Sequence, residues 1–167
     1  MNHTLSLFET YWSDSLIEVN LLVFANLVGA LLLGLLVGYE RSYNGRAAGM
    51  RTYGLVCMAS TALTVFVGLP AWWYGGTGVS LQVDPTRVVQ GVVTGVGFLC
   101  AGVIFKDGLS ISGLTTAASL WAASAIGVLL GVGFYAAALL MALLCMLSMS
   151  ALQRLESWLP GRTTLEV

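Results

Sequence analysis

The sequence predicts an all-α polytopic membrane bundle of about five transmembrane helices, and three observations carry that expectation. Of its 167 residues, 57% are hydrophobic and only 9% are charged, whereas a soluble domain is about a quarter charged. A chain so poor in charge cannot clothe a water-facing surface, so the lipid bilayer must cover it. The apolar residues also gather into five runs, each near the ~20 residues that a helix needs to cross hydrocarbon. None of the runs alternates as strands do, and helices satisfy their backbone polar groups internally, as lipid requires.

The first run covers residues 21–38 and is broken only by Asn26. The second, 52–73, closes on Trp72 and Trp73 with Tyr74 beside them, rings that suit a membrane–water interface. Glycines 75, 76 and 78 then form a flexible link to Asp84-Pro85. An Asp at the N-cap with Pro at the first helical position is a strong start signal, so the chain turns there into the third run, 88–105. Runs four (114–130) and five (134–152) are separated only by Gly131, Val132 and Gly133. The expected organisation is an external segment (1–20), a transmembrane domain (21–153) and a short cytoplasmic tail (154–167). The first twenty residues hold Glu9, Asp14 and Glu18 but no Lys or Arg, so no cleaved secretory signal is expected. We find no internal repeat.

Orientation follows from the positive charges. Arg41, Arg46 and Arg51 fall between runs one and two, Lys106 between three and four, and Arg154 and Arg162 in the tail, leaving only Arg87 for the other side. The positive-inside rule then puts the N-terminus outside and the C-terminus in the cytoplasm. Seven basic residues spread this thinly form no stripe for nucleic acid. Cys57, Cys100 and Cys145 each lie in an apolar run, far from one another, and read as packing residues rather than disulfide or zinc ligands.

Small residues recur at four-residue spacing. Ala30, Gly34 and Gly38 share a face of run one, Gly91 and Gly95 open run three, Gly97 and Ala101 with Gly102 continue it, and Gly127 and Gly131 end run four. Such stripes let helix backbones approach closely in lipid, either within one subunit or across a homodimer. The ionisable residues stand near the membrane edges, where charges pair, cap helices or mark a functional site. Glu40 is placed to pair with Arg41, Arg46 or Arg51 at one mouth, and Asp84 with Arg87 at the other. Gln90 and Asn26 add polar groups within the runs. A magnesium site needs hard oxygen ligands, but Glu40 and Asp84 belong to opposite faces and cannot share one ion, and no other metal site is assigned. His3 is the only histidine and no serine has an evident base, so neither catalysis nor a cofactor is expected.

Five stretches in order resemble the MgtC/SapB family of membrane proteins: Gly38-Tyr-Glu-Arg41, Ala48-Gly-Met-Arg-Thr52, Asp84-Pro-Thr-Arg87, Gly95-Val-Gly-Phe-Leu-Cys-Ala-Gly102 and Gly113-Leu-Thr-Thr-Ala-Ala-Ser-Leu-Trp-Ala122. The resemblance covers residues 20–150 and implies a five-span bacterial inner-membrane factor linked to survival in low magnesium and, in pathogens, to growth in macrophages. It also implies restraint of the F-type ATP synthase and altered phosphate uptake as activities of some members. Carried over by position, its polar residues are Glu40, Arg41, Arg51, Thr52, Asp84, Arg87, Thr115 and Thr116. Many members continue into a cytoplasmic ACT-like domain, which this sequence lacks. Cys100 stands where the glycine-rich stretch commonly has Gly, a change expected to tune close approach.

Two functions remain open on these grounds. One is a regulatory protein acting through helix contacts with itself or another membrane complex. The other is a small transporter or channel for magnesium or another solute, its route lined by Gln90, Thr94, Thr115 and Thr116.

Overall fold

A computed structural model describes residues 14–71, 84–107 and 110–158, with side chains over 16–71, 84–106 and 111–151. Five helices appear in chain order: α1 (Asp14–Tyr43), α2 (Met50–Gly68), α3 (Pro85–Gly102), α4 (Leu114–Val132) and α5 (Tyr135–Trp158). By length and composition α1, α2 and α4 are apolar enough to cross a membrane. Helix α3 has 18 residues, about 27 Å at 1.5 Å per residue, but its first turns carry Thr86, Arg87 and Gln90. Helix α5 is apolar over Tyr135–Ala151.

Boundaries depart from the sequence expectation in two places. Helix α1 runs for 30 residues, about 45 Å, longer than a hydrocarbon core of about 30 Å. Helix α2 stops at Gly68 rather than at residue 73, because Pro70 cannot continue a helix and restricts the residue before it. The aromatic trio at 72–74, the glycine link, His3 and the end of the tail lie outside the described residues.

One element was not anticipated. Between α3 and α4 the chain forms an antiparallel hairpin, β1 (Phe105–Asp107) with β2 (Ser110–Ser112), pairing Phe105 with Ser112 and Lys106 with Ile111. The sequence expectation leaves residues 106–113 as the loop between runs three and four, with no strand in it. Helix α4 follows at once from Gly113, whose φ of +86° lies in the left-handed region. A Cβ at Gly113 would also collide with the Val103 carbonyl. Glycine is therefore required where the start of α4 is drawn against the end of α3.

Helix α4 lies at the centre and touches all four others. Its Gly127 and Gly131 let α2 approach so closely that added Cβ atoms would strike the Cys57 carbonyl and Thr64. Thr61 Oγ1 donates across that contact to the Gly127 carbonyl (2.8 Å), and Cys100 Sγ ties α3 to the Ala117 carbonyl (3.1 Å). Helix α1 packs on α2 through Gly34 and Gly38, whose added Cβ atoms would meet backbone atoms of Tyr53, Gly54 and Met50. Asn26 is explained by packing as well: it is buried and accepts from Tyr135 Oη of α5 (2.9 Å). Large apolar side chains such as Leu21, Phe24, Phe98 and Leu143 point outward, as lipid-facing residues do.

Candidate functional site

The end of α1, the loop that follows it, the end of α3, the hairpin and the start of α4 converge at one end of the bundle. They enclose a cavity of about 200 Å³ with Arg41, Arg46, Ser112, Thr115 and Thr116 in its wall, and Val103 and Phe105 as apolar flanks. Arg41 is the unusual member. It is only 2% exposed, a burial almost never seen for a charged side chain without a partner. That partner is its neighbour Glu40, whose Oε2 accepts from Arg41 Nε at 2.5 Å. Glu40 is held in turn by Asn44 Nδ2, which donates to its Oε1 (2.7 Å). Arg46 reaches the cavity because α1 gives way to a turn at Asn44 and Gly45, the latter at φ +65°, and the chain folds back with Arg46 N bonded to the Arg41 carbonyl (3.0 Å).

Beneath the cavity, the start of α4 is locked to α2. The fully buried Tyr53 places its hydroxyl 2.5 Å from Ser119 Oγ, and Ser119 Oγ donates to the Thr115 carbonyl (2.8 Å). Gly113 supplies no side-chain cap to α4, and the first turn of that helix holds no acidic residue. The positive end of the helix dipole therefore faces the cavity region without a protein carboxylate of its own.

A sequence profile of the MgtC family matches residues 27–158. The chain belongs to the MgtC family. It is 47% identical over 109 residues to the protein named Protein MgtC of Brucella abortus strain 2308, covering 65% of this chain and 42% of that protein. To the Salmonella typhimurium LT2 protein of the same name it is 42% identical over 115 residues, 68% of this chain and 45% of that one. An uncharacterized Synechocystis protein is 34% identical over 148 residues, 89% of this chain and 56% of its own length. The chain thus spans less than half the length of the Brucella and Salmonella proteins. No solved structure matches it.

Of the polar residues carried over from the MgtC resemblance, the structure gathers Arg41, Thr115 and Thr116 in the cavity, with Glu40 attached through Arg41. Arg51 and Thr52 are exposed on the first turn of α2. Asp84 and Arg87 stand at the far end, at the start of α3, and are separated from the cavity by that helix's length. Asp84 caps α3 by accepting from Thr86 N (2.9 Å) and Thr86 Oγ1 (2.6 Å). Those bonds hold its carboxyl below the usual carboxylate range. Its pair with Arg87 is long, 3.8 Å, and both side chains are exposed, so it contributes little to stability. Gln90 and Thr94 are exposed along α3. Among the described residues no three His, Cys, Asp or Glu side chains gather as metal ligands.

The glycines expected to pack helices divide into two groups, with Gly127 and Gly131 in the filled one. Gly34 and Gly38 are filled against α2, whereas at Gly91, Gly95, Gly97 and Gly102 an added Cβ would find nothing within 4 Å. Sequence reasoning passed over Arg46, Tyr53, Ser112 and Ser119. Arg46 was read as a topology charge and as one of three arginines able to pair with Glu40, and its distance in sequence from Thr116 gave no hint that they share a wall.

Proposed function

We propose that the chain is a regulatory membrane protein that works through helix–helix contacts with another membrane complex or a second copy, rather than by moving a solute. In line with the resemblance, its physiological setting is adaptation to low magnesium, in a bacterial inner membrane, with the N-terminus outside and the C-terminus in the cytoplasm. The observation that carries the reading is the outward side of α3. Four glycines there have open space at the Cβ position, beside exposed Val93, Phe98 and Leu99. Small residues permit close backbone approach in lipid, and among the described residues none fills the space beside these glycines. The F-type ATP synthase, implied by the resemblance, is the first partner to test.

The transport reading is less well supported. Gln90 and Thr94 lie on exposed α3, while Thr115 and Thr116 belong to a cavity at the end of the bundle that neither of the other two lines. The test pairs a photo-crosslinking residue at Gly95 in native membranes with magnesium flux in vesicles of the pure protein. The expected result is a crosslinked partner, lost together with growth in low magnesium in Gly95→Leu, and no flux. Magnesium movement at a rate dependent on Asp84 would overturn the reading.

A further inference from the structure

Between α2 and α3 the bundle carries an apolar groove of about 350 Å³ that opens outward. Its floor includes the buried Val92 and Val96, and its rim on α2 is formed by the exposed Leu55 and Leu63. On the α3 side Gly91 and Gly95 have no side chain to raise a rim, and added Cβ atoms there would meet nothing within 4 Å. Beside this hollow stands a knob. Phe98 is 81% exposed, more than any other phenylalanine among the described residues. Arg87, Gly91, Thr94 and Phe98 follow one another along α3 at the spacing of a single helix face. The knob and the edge of the groove therefore share that face. It also carries polar groups that lipid leaves unsatisfied. Gln90 and Thr94 are exposed; Thr94 Oγ1 donates to the Gln90 carbonyl (2.8 Å), but the Gln90 side-chain amide has no partner among the described residues. At the head of the helix Asp84 and Arg87, both exposed, stand 3.8 Å apart.

We propose that the groove seats Phe98 of a second copy of this chain, so that two chains join through α3 about a twofold axis along the membrane normal. The inference rests on the docking reading of α3 given above and names its partner. Two copies inserted in the same sense have parallel α3 helices, and in a twofold contact each surface must carry its own complement. This face does so in three ways. The groove runs along α3 from Gly91 to Leu99, about 12 Å at 1.5 Å per residue. The level of Phe98 falls within it, and the two rings enter reciprocally. A glutamine amide both donates and accepts, so two of them at equal depth satisfy each other, as polar groups do between helices in lipid. Asp84 and Arg87 lie about one turn apart, so each copy offers a carboxylate to the other's guanidinium. A different protein would have to reproduce a knob, an amide and an opposed charge pair at matching depths.

The full chain is made with light or heavy nitrogen and with a photo-crosslinking amino acid in place of Phe98, mixed, and returned to phospholipid vesicles. Mass spectrometry is expected to find mixed-isotope dimers, crosslinked from position 98 of one copy to residues 55–63 of the other. Energy transfer between fluorescently labelled chains, diluted stepwise in lipid, measures the strength of self-association. Phe98→Ala removes the knob at an exposed position and is expected to weaken the dimer about tenfold or more, the scale of truncating an interface anchor. Gly95→Leu fills the groove and is expected to abolish self-association. Leu143→Ala, exposed on α5, is expected to leave it unchanged, and circular dichroism checks that all three variants fold. A chain that stays monomeric at every dilution, or energy transfer undiminished in Phe98→Ala, overturns the proposal. The same crosslinker in native membranes separates this failure from that of the docking reading. Capture of a different protein alone overturns the second copy and leaves docking through α3 standing, whereas capture of lipid alone overturns both.

Discussion

Replacing Gly34 by alanine tests whether the α1–α2 contact is as close as the structure has it. The added Cβ would lie 2.6 Å from the Tyr53 carbonyl oxygen and 2.7 Å from Gly54 Cα, against 3.4 Å for ordinary contact. Both obstacles are backbone, so no side chain can swing aside, and one helix must move by about 0.8 Å. Overpacking of this kind costs about 1–3 kcal/mol, offset by the about 0.5–1 kcal/mol that alanine gains over glycine inside a helix. A net loss of about 1–2 kcal/mol is expected. Gly95→Ala, with nothing within 4 Å, experiences only the second effect and is expected to be neutral or slightly stabilising. Reversible unfolding in mixed detergent micelles, followed by circular dichroism, measures both variants under the same conditions. Equal stability of the two would refute the reasoning, because it would mean that α1 and α2 are not in backbone contact at Gly34.

Three further outcomes follow from named contacts. Glu40→Gln leaves the buried Arg41 guanidinium without its carboxylate and is expected to cost about 3 kcal/mol, the lower end for a broken buried pair; a midpoint unchanged from wild type in the same unfolding assay would contradict the burial of Arg41. Thr61→Val removes the hydroxyl shared between the Gly127 and Cys57 carbonyls and is expected to cost about 0.6 kcal/mol, the mean for such bonds in a membrane bundle; no change in the unfolding midpoint would contradict the shared bond. At Asp84 the folded pKa is depressed, so the cap's contribution is complete above the unfolded value of about 3.9 and is lost as pH falls through the lower folded one. The Thr86 amide resonance reports that titration, and a midpoint at or above the ordinary carboxylate value would show that the cap is absent.

Much of the architecture was legible in the sequence because its causes are local. Hydrocarbon thickness sets run length, so five apolar stretches sufficed to place five helices. Asp84-Pro85 marked the start of α3 because an N-cap side chain and a proline act within a single turn. The same locality explains the misreadings. Pro70 ended α2 early inside a stretch that hydropathy alone carried onward, and the stretch between runs three and four, read as loop, forms a hairpin whose three-residue strands are too short to show an alternation.

What the sequence could not decide is which face meets which. Gly34 and Gly95 are alike in type and stripe spacing, yet one lies against a neighbouring backbone and the other against open space. The difference depends on how α1, α2 and α3 rotate around α4. Arg46 and Thr116 are likewise 70 residues apart and share a cavity wall only because Gly45 turns the chain back at one loop and Gly113 draws α4 against α3 at the other. Composition and spacing, which are properties of single segments, determined the membrane class and the helices. The cavity and the unfilled face are properties of pairs of segments, set by side-chain packing over long sequence separations, and only the tertiary structure decided them.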